Sequence, residues 1–174
     1  LLWIKFARTI NGEDVNDTVP NDVQLEDEAQ VMIVSGPNTG GKTVLLKTLG
    51  LCSLMARCGL TLPVDEGSKI PLFRTIYTDI GDEQSIEQDL STFSGHLKNI
   101  NTFIKKTDHT SLVLLDELFT GTDPIQGAAL AVALLEELTT RGATTVVTTH
   151  LESLKTLAFQ KGAYANASMG FDLD

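Results

Sequence analysis

Apolar positions along this chain follow two rhythms. Unbroken apolar runs at residues 31–34 and 112–115 are short, and residues 143–149 form a third short run of β-branched and small residues between Gly142 and His150. Runs of that length read as strands buried on both faces. Between them, apolar residues recur at helical spacing over residues 42–58, 94–105, 124–141 and 151–159. The first of these helices is apolar almost all round, which predicts burial, and Gly59 stops it. Leu97, Ile100 and Ile104 set the phase of the second. Asp123 and Pro124 open the third as N-cap and first helical residue, and Gly142 ends it. Weaker patterns predict an edge strand at 1–6, a turn or loop over 9–18, and a short strand at 19–25. Further strands are predicted at 60–64 (confined to an edge or an end by Pro63), 71–80 and 163–171. The acidic stretch 81–89 reads as a loop with a short helix. Strands alternating with helices predict an α/β fold with a mostly parallel sheet covered on both faces and an antiparallel N-terminal edge.

Composition narrows the function classes. The chain has 174 residues, 42% hydrophobic and 21% charged, which suits one globular domain with a sizeable core. No apolar run reaches the length of a membrane span and no cleavage pattern marks a signal peptide, so a cytoplasmic protein with no membrane partner is expected. Cys52 and Cys58 are too few and too close for a disulfide scaffold and read as core thiols. The net charge of −10 argues against a broad face gripping a phosphate backbone, so any nucleic-acid contact should come from a local patch or another part of a longer chain.

Between the first buried strand and the first helix stands Gly36-Pro37-Asn38-Thr39-Gly40-Gly41-Lys42-Thr43. It satisfies the phosphate-loop pattern G-x-x-x-x-G-K-[ST] at every fixed position, in the strand–loop–helix setting the motif needs. Backbone N–H groups of such a loop, and of the first helical turn through Val44, converge on phosphate oxygens. Gly36, Gly40 and Gly41 permit backbone conformations and close approach that a side chain would block. Lys42 is expected to bridge the outer phosphates of ATP or ADP, and the Thr43 hydroxyl to sit on Mg²⁺.

The second strand ends in Asp116-Glu117, the Walker B position in a phosphate-loop protein. Asp116 is expected to reach Mg²⁺ directly or through water, and Glu117 to polarise a water for attack on the γ-phosphate. The third strand ends in Thr148-Thr149-His150, where His150 would bond the γ-phosphate or the attacking water, or stand merely as a polar residue at a strand exit. His96 and His109 lack such a setting and read as surface groups. Gly121-Thr122-Asp123 is either a helix cap alone or a loop at a subunit contact.

Together, the loop from Gly36 to Thr43, Leu115-Asp116-Glu117-Leu118 with Gly121-Thr122-Asp123, and Thr148-Thr149-His150 resemble the ATPase domain of the MutS family, within the ABC class of P-loop NTPases. Ser91-Thr92-Phe93 occupies the place of that family's signature loop. The stretch from Asp79 to Phe93, with Thr39 and Thr122-Asp123-Pro124, resembles the second bacterial branch, the paralogue without a mismatch-reading domain. The resemblance covers residues 19–174, an ATPase domain; residues 1–18 match poorly and read as a segment packed on it.

The resemblance implies a site shared by a homodimer, with Ser91 completing the partner's site. It places Asn38 near the γ-phosphate, Gln84 as a contact to Mg²⁺ or water, and residues near Val19 against the adenine, although no aromatic stands there to stack. It implies Mg-dependent ATP hydrolysis driving a clamp on branched DNA that limits recombination, or the same ATPase acting on stalled or collided ribosomes. Any nuclease activity would lie outside this chain. Two rivals remain open: an ABC ATPase of transporter or chromosome-maintenance type, disfavoured by the lack of a Leu-Ser-Gly-Gly-Gln run, and a non-hydrolysing nucleotide-gated dimerisation module, disfavoured by Glu117 and His150.

Overall fold

The computed structural model describes residues 2–5, 9–10, 13–14, 21–25, 28–81, 89–160 and 162–170. Its centre is a five-stranded, wholly parallel sheet of β5 (Val31–Ser35), β6 (Thr75–Asp79), β7 (Ser111–Leu115), β8 (Thr144–Thr148) and β9 (Tyr164–Ser168), in the order β6-β7-β8-β5-β9. Helices α1 (Lys42–Arg57), α2 (Asp89–Phe103), α3 (Pro124–Thr140) and α4 (Glu152–Gln160) join these strands. The predicted α/β fold, with a mostly parallel sheet flanked by helices, is observed.

Strand alternation builds two cores. Val31, Ile33, Val113, Leu115 and Val147 face Ile100 and Phe103 of α2, Leu134, Leu135 and Leu138 of α3, and Leu154 and Leu157 of α4. Met32, Val34, Leu112, Leu114 and Val146 face the other way, against Leu45, Leu46 and Leu49 of α1. Period-two side-chain direction thus turns each unbroken apolar run into a two-sided surface.

The antiparallel part is not an edge of this sheet. Before β5, β1 (Leu2–Lys5) pairs with β4 (Asp22–Leu25), and β2 (Thr9–Ile10) with β3 (Glu13–Asp14), each as a separate two-stranded ribbon. Strand β4 buries Val23 and Leu25 in the α1-side core and turns Asp22 and Gln24 outward. Its one apolar face therefore covers the sheet rather than extending it. The β2–β3 pair falls in the stretch read as a loop.

Several other elements depart from expectation. Helix α1 is not buried all round: Val44, Leu51 and Leu54 are exposed. Cys52 is buried, but Cys58, at the cap of α1, is exposed and so is no core thiol. Residues 60–63 form no strand and Val64 only an isolated bridge; β6 begins at Thr75, after the Pro71 turn. Helix α2 starts at Asp89, and its buried side carries His96, Ile100 and Phe103 with Phe93 packed beside them, whereas Leu97 is 38% exposed. Among the described residues no helix is long and apolar enough to cross a membrane.

Candidate functional site: a phosphate loop facing two strand exits

Because the central strands are parallel, their carboxyl ends share one edge, where α/β sheets place ligands. Strand β8 lies between β5 and β7. The loop after β5, the carboxylates after β7 and the histidine after β8 therefore emerge side by side.

The loop after β5 is shaped by backbone. Gly36 has φ +140°, and a Cβ there would lie 2.6 Å from the carbonyl oxygen of Met169, just past β9. Met169 N–H in turn donates to Ser35 O at 2.8 Å. The close approach that requires glycine at this position is therefore to the protein's own chain. Pro37 and Thr39 are exposed, and Asn38–Gly40 form a 3₁₀ turn. Gly41 is left-handed, with φ 80°, and N-caps α1. The first helical bond runs from Leu45 N–H to Gly41 O, so the N–H groups of Lys42, Thr43 and Val44 lie ahead of the ladder, at the positive end of the helix dipole.

Lys42 is only 2% exposed. Its Nζ donates to Gly36 O at 2.8 Å and lies 3.5 Å from His150 Nε2. Thr43 Oγ1 donates to Asp116 Oδ2 at 2.6 Å. Thr148 Oγ1 donates to Asp116 Oδ1 at 2.5 Å and accepts the Glu117 N–H at 2.8 Å. One hydroxyl at the end of β8 therefore locates both acidic residues after β7, a role sequence reading missed. The clue was Thr148 itself, two residues before His150, on a strand that topology puts in the middle.

Glu117 has φ 46° and Phe119 φ 57°, left-handed conformations that cost about 1–3 kcal/mol each in residues other than glycine. The chain thereby leaves the sheet sharply, and Glu117 Oε1 meets His150 Nε2 at 3.1 Å. This pair is open, with side chains 38% and 46% exposed respectively. His150 Nε2 stands between a cation and a carboxylate: carrying the ring proton it donates to Glu117, and lacking it the nitrogen accepts from Lys42.

The structure thus brings Lys42, Thr43, Asp116, Glu117 and His150 together. Asp123 Oδ1 accepts the N–H groups of Ile125 and Gln126, both at 3.1 Å, so it caps α3 as predicted. Ser91 lies inside the first turn of α2 rather than in a loop before it, because that helix starts earlier than its apolar spacing indicated. Val19, Gln84 and the side chain of Asn38 lie outside the described residues. His109 is exposed as expected, but His96 is not a surface group. It is buried, with Nδ1 at 2.5 Å from Asp79 Oδ2. Apolar periodicity hides such a residue, because a polar side chain on the buried stripe looks like an interruption.

A glycine cradle and a buried lysine after β5, with a carboxylate after β7 across the intervening β8, fit the site of a phosphate-loop ATPase. The family model for MutS domain V matches residues 32–173. The chain belongs to the MutS family and corresponds to its ATPase domain. Among curated relatives it is similar to proteins named Endonuclease MutS2, the paralogue lacking a mismatch-recognition domain. It is 53% identical to that of Geobacillus sp. (strain WCH70) over 161 residues, covering 92% of this chain and 20% of the relative. To that of Enterococcus faecalis it is 54% identical over 156 residues, covering 90% and 20%. To that of Lactiplantibacillus plantarum it is 52% identical over 159 residues, covering 91% and 20%. The chain spans about a fifth of the length of these relatives.

Proposed function

We propose that this domain binds Mg-ATP and hydrolyses its γ-phosphate with water, in a site completed by a second copy of the chain. The observation that carries the reading is the run of hydrogen bonds from Thr43 through Asp116 and Thr148 to Glu117, which ties the phosphate loop to the carboxylates. Thr43 Oγ1 and the Asp116 carboxylate are adjacent hard oxygen donors that suit Mg²⁺, an ion commonly held by one or two carboxylates plus substrate phosphates. Once bound, Mg²⁺ supplies neutralisation of phosphate charge. The N–H groups of the loop and the first turn of α1 hold the phosphates, and Lys42 turns from Gly36 O to the outer ones. Glu117 accepts the proton of the attacking water. His150, donating from Nε2, orients the Glu117 carboxylate.

The half-open Glu117–His150 pair leaves room for a partner's group. Ser91, in the first turn of α2, stands at a helix N-terminus, which favours an anion, and we assign it to the nucleotide of the other chain. In the intact protein this cycle drives a dimeric clamp on branched DNA and limits recombination. With a net charge of −10, this domain leaves the DNA contact to the rest of the protein, as it leaves any nuclease activity of the kind the relatives are named for. The reading places the protein in the cytoplasm, where ATP is supplied.

Mixing tests the shared site. Lys42→Ala and Ser91→Ala are each expected to be nearly inactive, and an exchanging mixture to regain activity, because mixed dimers hold one site free of both changes. ATPase rate is measured against mixing ratio, with dimers followed by sedimentation. Exchanging dimers with no gain on mixing overturn the assignment of Ser91 to the partner's site.

A further inference from the structure

On the far side of the Walker B strand lies a polar cluster to which neither the loop nor the carboxylates assign a task. Asp79 ends β6, the strand beside β7. Its Oδ2 accepts from His96 Nδ1 at 2.5 Å and its Oδ1 from Asn99 Nδ2 at 2.8 Å, while Asn99 also donates to Thr78 O at 3.0 Å. A carboxylate only accepts, so the imidazole proton in this bond sits on Nδ1. His96 and Asp79 are each 7% exposed. Burying such a pair carries a desolvation cost, and an apolar filler is often as stable. Packing alone gives no reason for a histidine on this stripe, where Ile100 and Phe103 fill the neighbouring positions.

The cluster is wired to the site. Asp79 O accepts the backbone N–H of Asp116 at 2.9 Å, so the residue that His96 holds by its side chain holds Asp116 by its main chain. Helix α2 touches the same exit a second time, where the ring of Phe93 packs on Phe119 with centroids 5.9 Å apart. The segment from Asp116 to Phe119, which contains the two left-handed residues, is thus braced by α2 directly at Phe119 and through Asp79 of β6 at Asp116.

We infer that His96 is a positioning residue for hydrolysis: by clasping Asp79 it fixes α2 to the strand exit that presents Asp116 and Glu117. The bonds of the clasp run to Asp79 and not to the phosphate loop, so it governs turnover and not nucleotide affinity. This rests on the reading of the exit as an ATPase site. It also links Ser91, five residues earlier on α2, to the carboxylates of its own chain.

The test uses the intact natural chain with His96→Leu, which severs the clasp, and His96→Asn, whose amide nitrogen can take the place of Nδ1 and donate to Asp79. His96→Leu is expected to lower kcat about tenfold or more, as small misplacements of reacting groups do. Its ATP affinity should stay within about twofold, since the loop contacts are intact. His96→Asn should recover most of kcat. Amide hydrogen exchange gives a readout that needs no activity: in His96→Leu it should quicken in the first turns of α2 and at Asp116, and stay unchanged at residues 112–114. Unchanged kcat and exchange in His96→Leu overturn the inference while leaving the ATPase reading intact. So does a loss of affinity in step with kcat, or a His96→Asn protein as impaired as His96→Leu. Should the unsubstituted protein not hydrolyse ATP, the ATPase reading fails, and the inference with it; the exchange data then decide only whether the clasp holds the strand exit.

Discussion

The two halves of the candidate site are built differently. On the phosphate side, Lys42 is buried and held by a carbonyl, and Thr43 is bonded to Asp116. On the side proposed for hydrolysis, Glu117 and His150 lie half in solvent and bonded to each other, with Glu117 on a strained backbone. A rigid half suits binding, because groups already in place lose little freedom when the ligand arrives. An open half suits a reaction that waits for something further to close over it. On the proposed reading, affinity is then written into one chain and turnover is not.

The sharpest way to break this division is Glu117→Gln. It keeps the shape and a contact to His150 but removes the base. On the proposed reading kcat falls by a factor on the order of 10²–10⁴, with ATP affinity nearly unchanged. Single-turnover hydrolysis beside equilibrium nucleotide binding separates the two quantities. Equal turnover by variant and parent would remove Glu117 from the chemistry.

Lys42→Ala strikes the other half. Charged hydrogen bonds are worth about 1.5–3 kcal/mol, so ATP binding should weaken roughly 10- to 100-fold. Thermal stability should hold, because a buried cation is lost with its own desolvation cost. If nucleotide titration showed unchanged affinity, the rigid half would not be the seat of binding.

How far these halves were legible in the sequence follows the same line. The loop could be read because its constraints are local: each glycine, Lys42 and Thr43 act within eight consecutive positions. The buried strands could be read because β5 and β7 are apolar enough to betray burial on both faces, and β8 is β-branched throughout. What escaped depends on neighbours distant in sequence. Thr148 acquires its role only because β8 lies between β5 and β7. His96 reads as a surface residue until α2 is laid against β6 and Asp79 comes within bonding distance. The exposed face of α1 was missed for a related reason: an apolar helix invites the inference of full burial, and nothing in its own sequence says which side meets the sheet.

Thr148→Val tests the joint between the halves. The change keeps volume and removes the hydroxyl that bonds both Asp116 and the Glu117 N–H. A buried group left unpaired costs about 1–3 kcal/mol, so the denaturation midpoint should drop by a corresponding amount, and kcat should fall more than affinity. Thr148→Ser should restore both. A valine protein with normal turnover would mean that Glu117 is placed by its strained backbone alone.

Asp123 gives the smallest expected effect and decides a question the sequence left open. It caps α3 with two bonds from one oxygen, and replacing such a cap by alanine costs about 1 kcal/mol. Asparagine caps nearly as well, since its side-chain carbonyl accepts the same N–H groups. If capping is the whole task, Asp123→Ala lowers the melting temperature modestly, Asp123→Asn restores it, and neither alters kcat per folded chain. Yet Asp123 follows Gly121-Thr122 at the exit of the hydrolytic half, and the next residue but one, Ile125, is 81% exposed. A charge facing a partner would show as the opposite pattern: Asp123→Asn stable but slower, with the deficit shrinking as protein concentration rises. Among the described residues the carboxylate takes only its two cap bonds, so the capping outcome is the one expected, and a slow, stable asparagine variant would extend the open half to this loop.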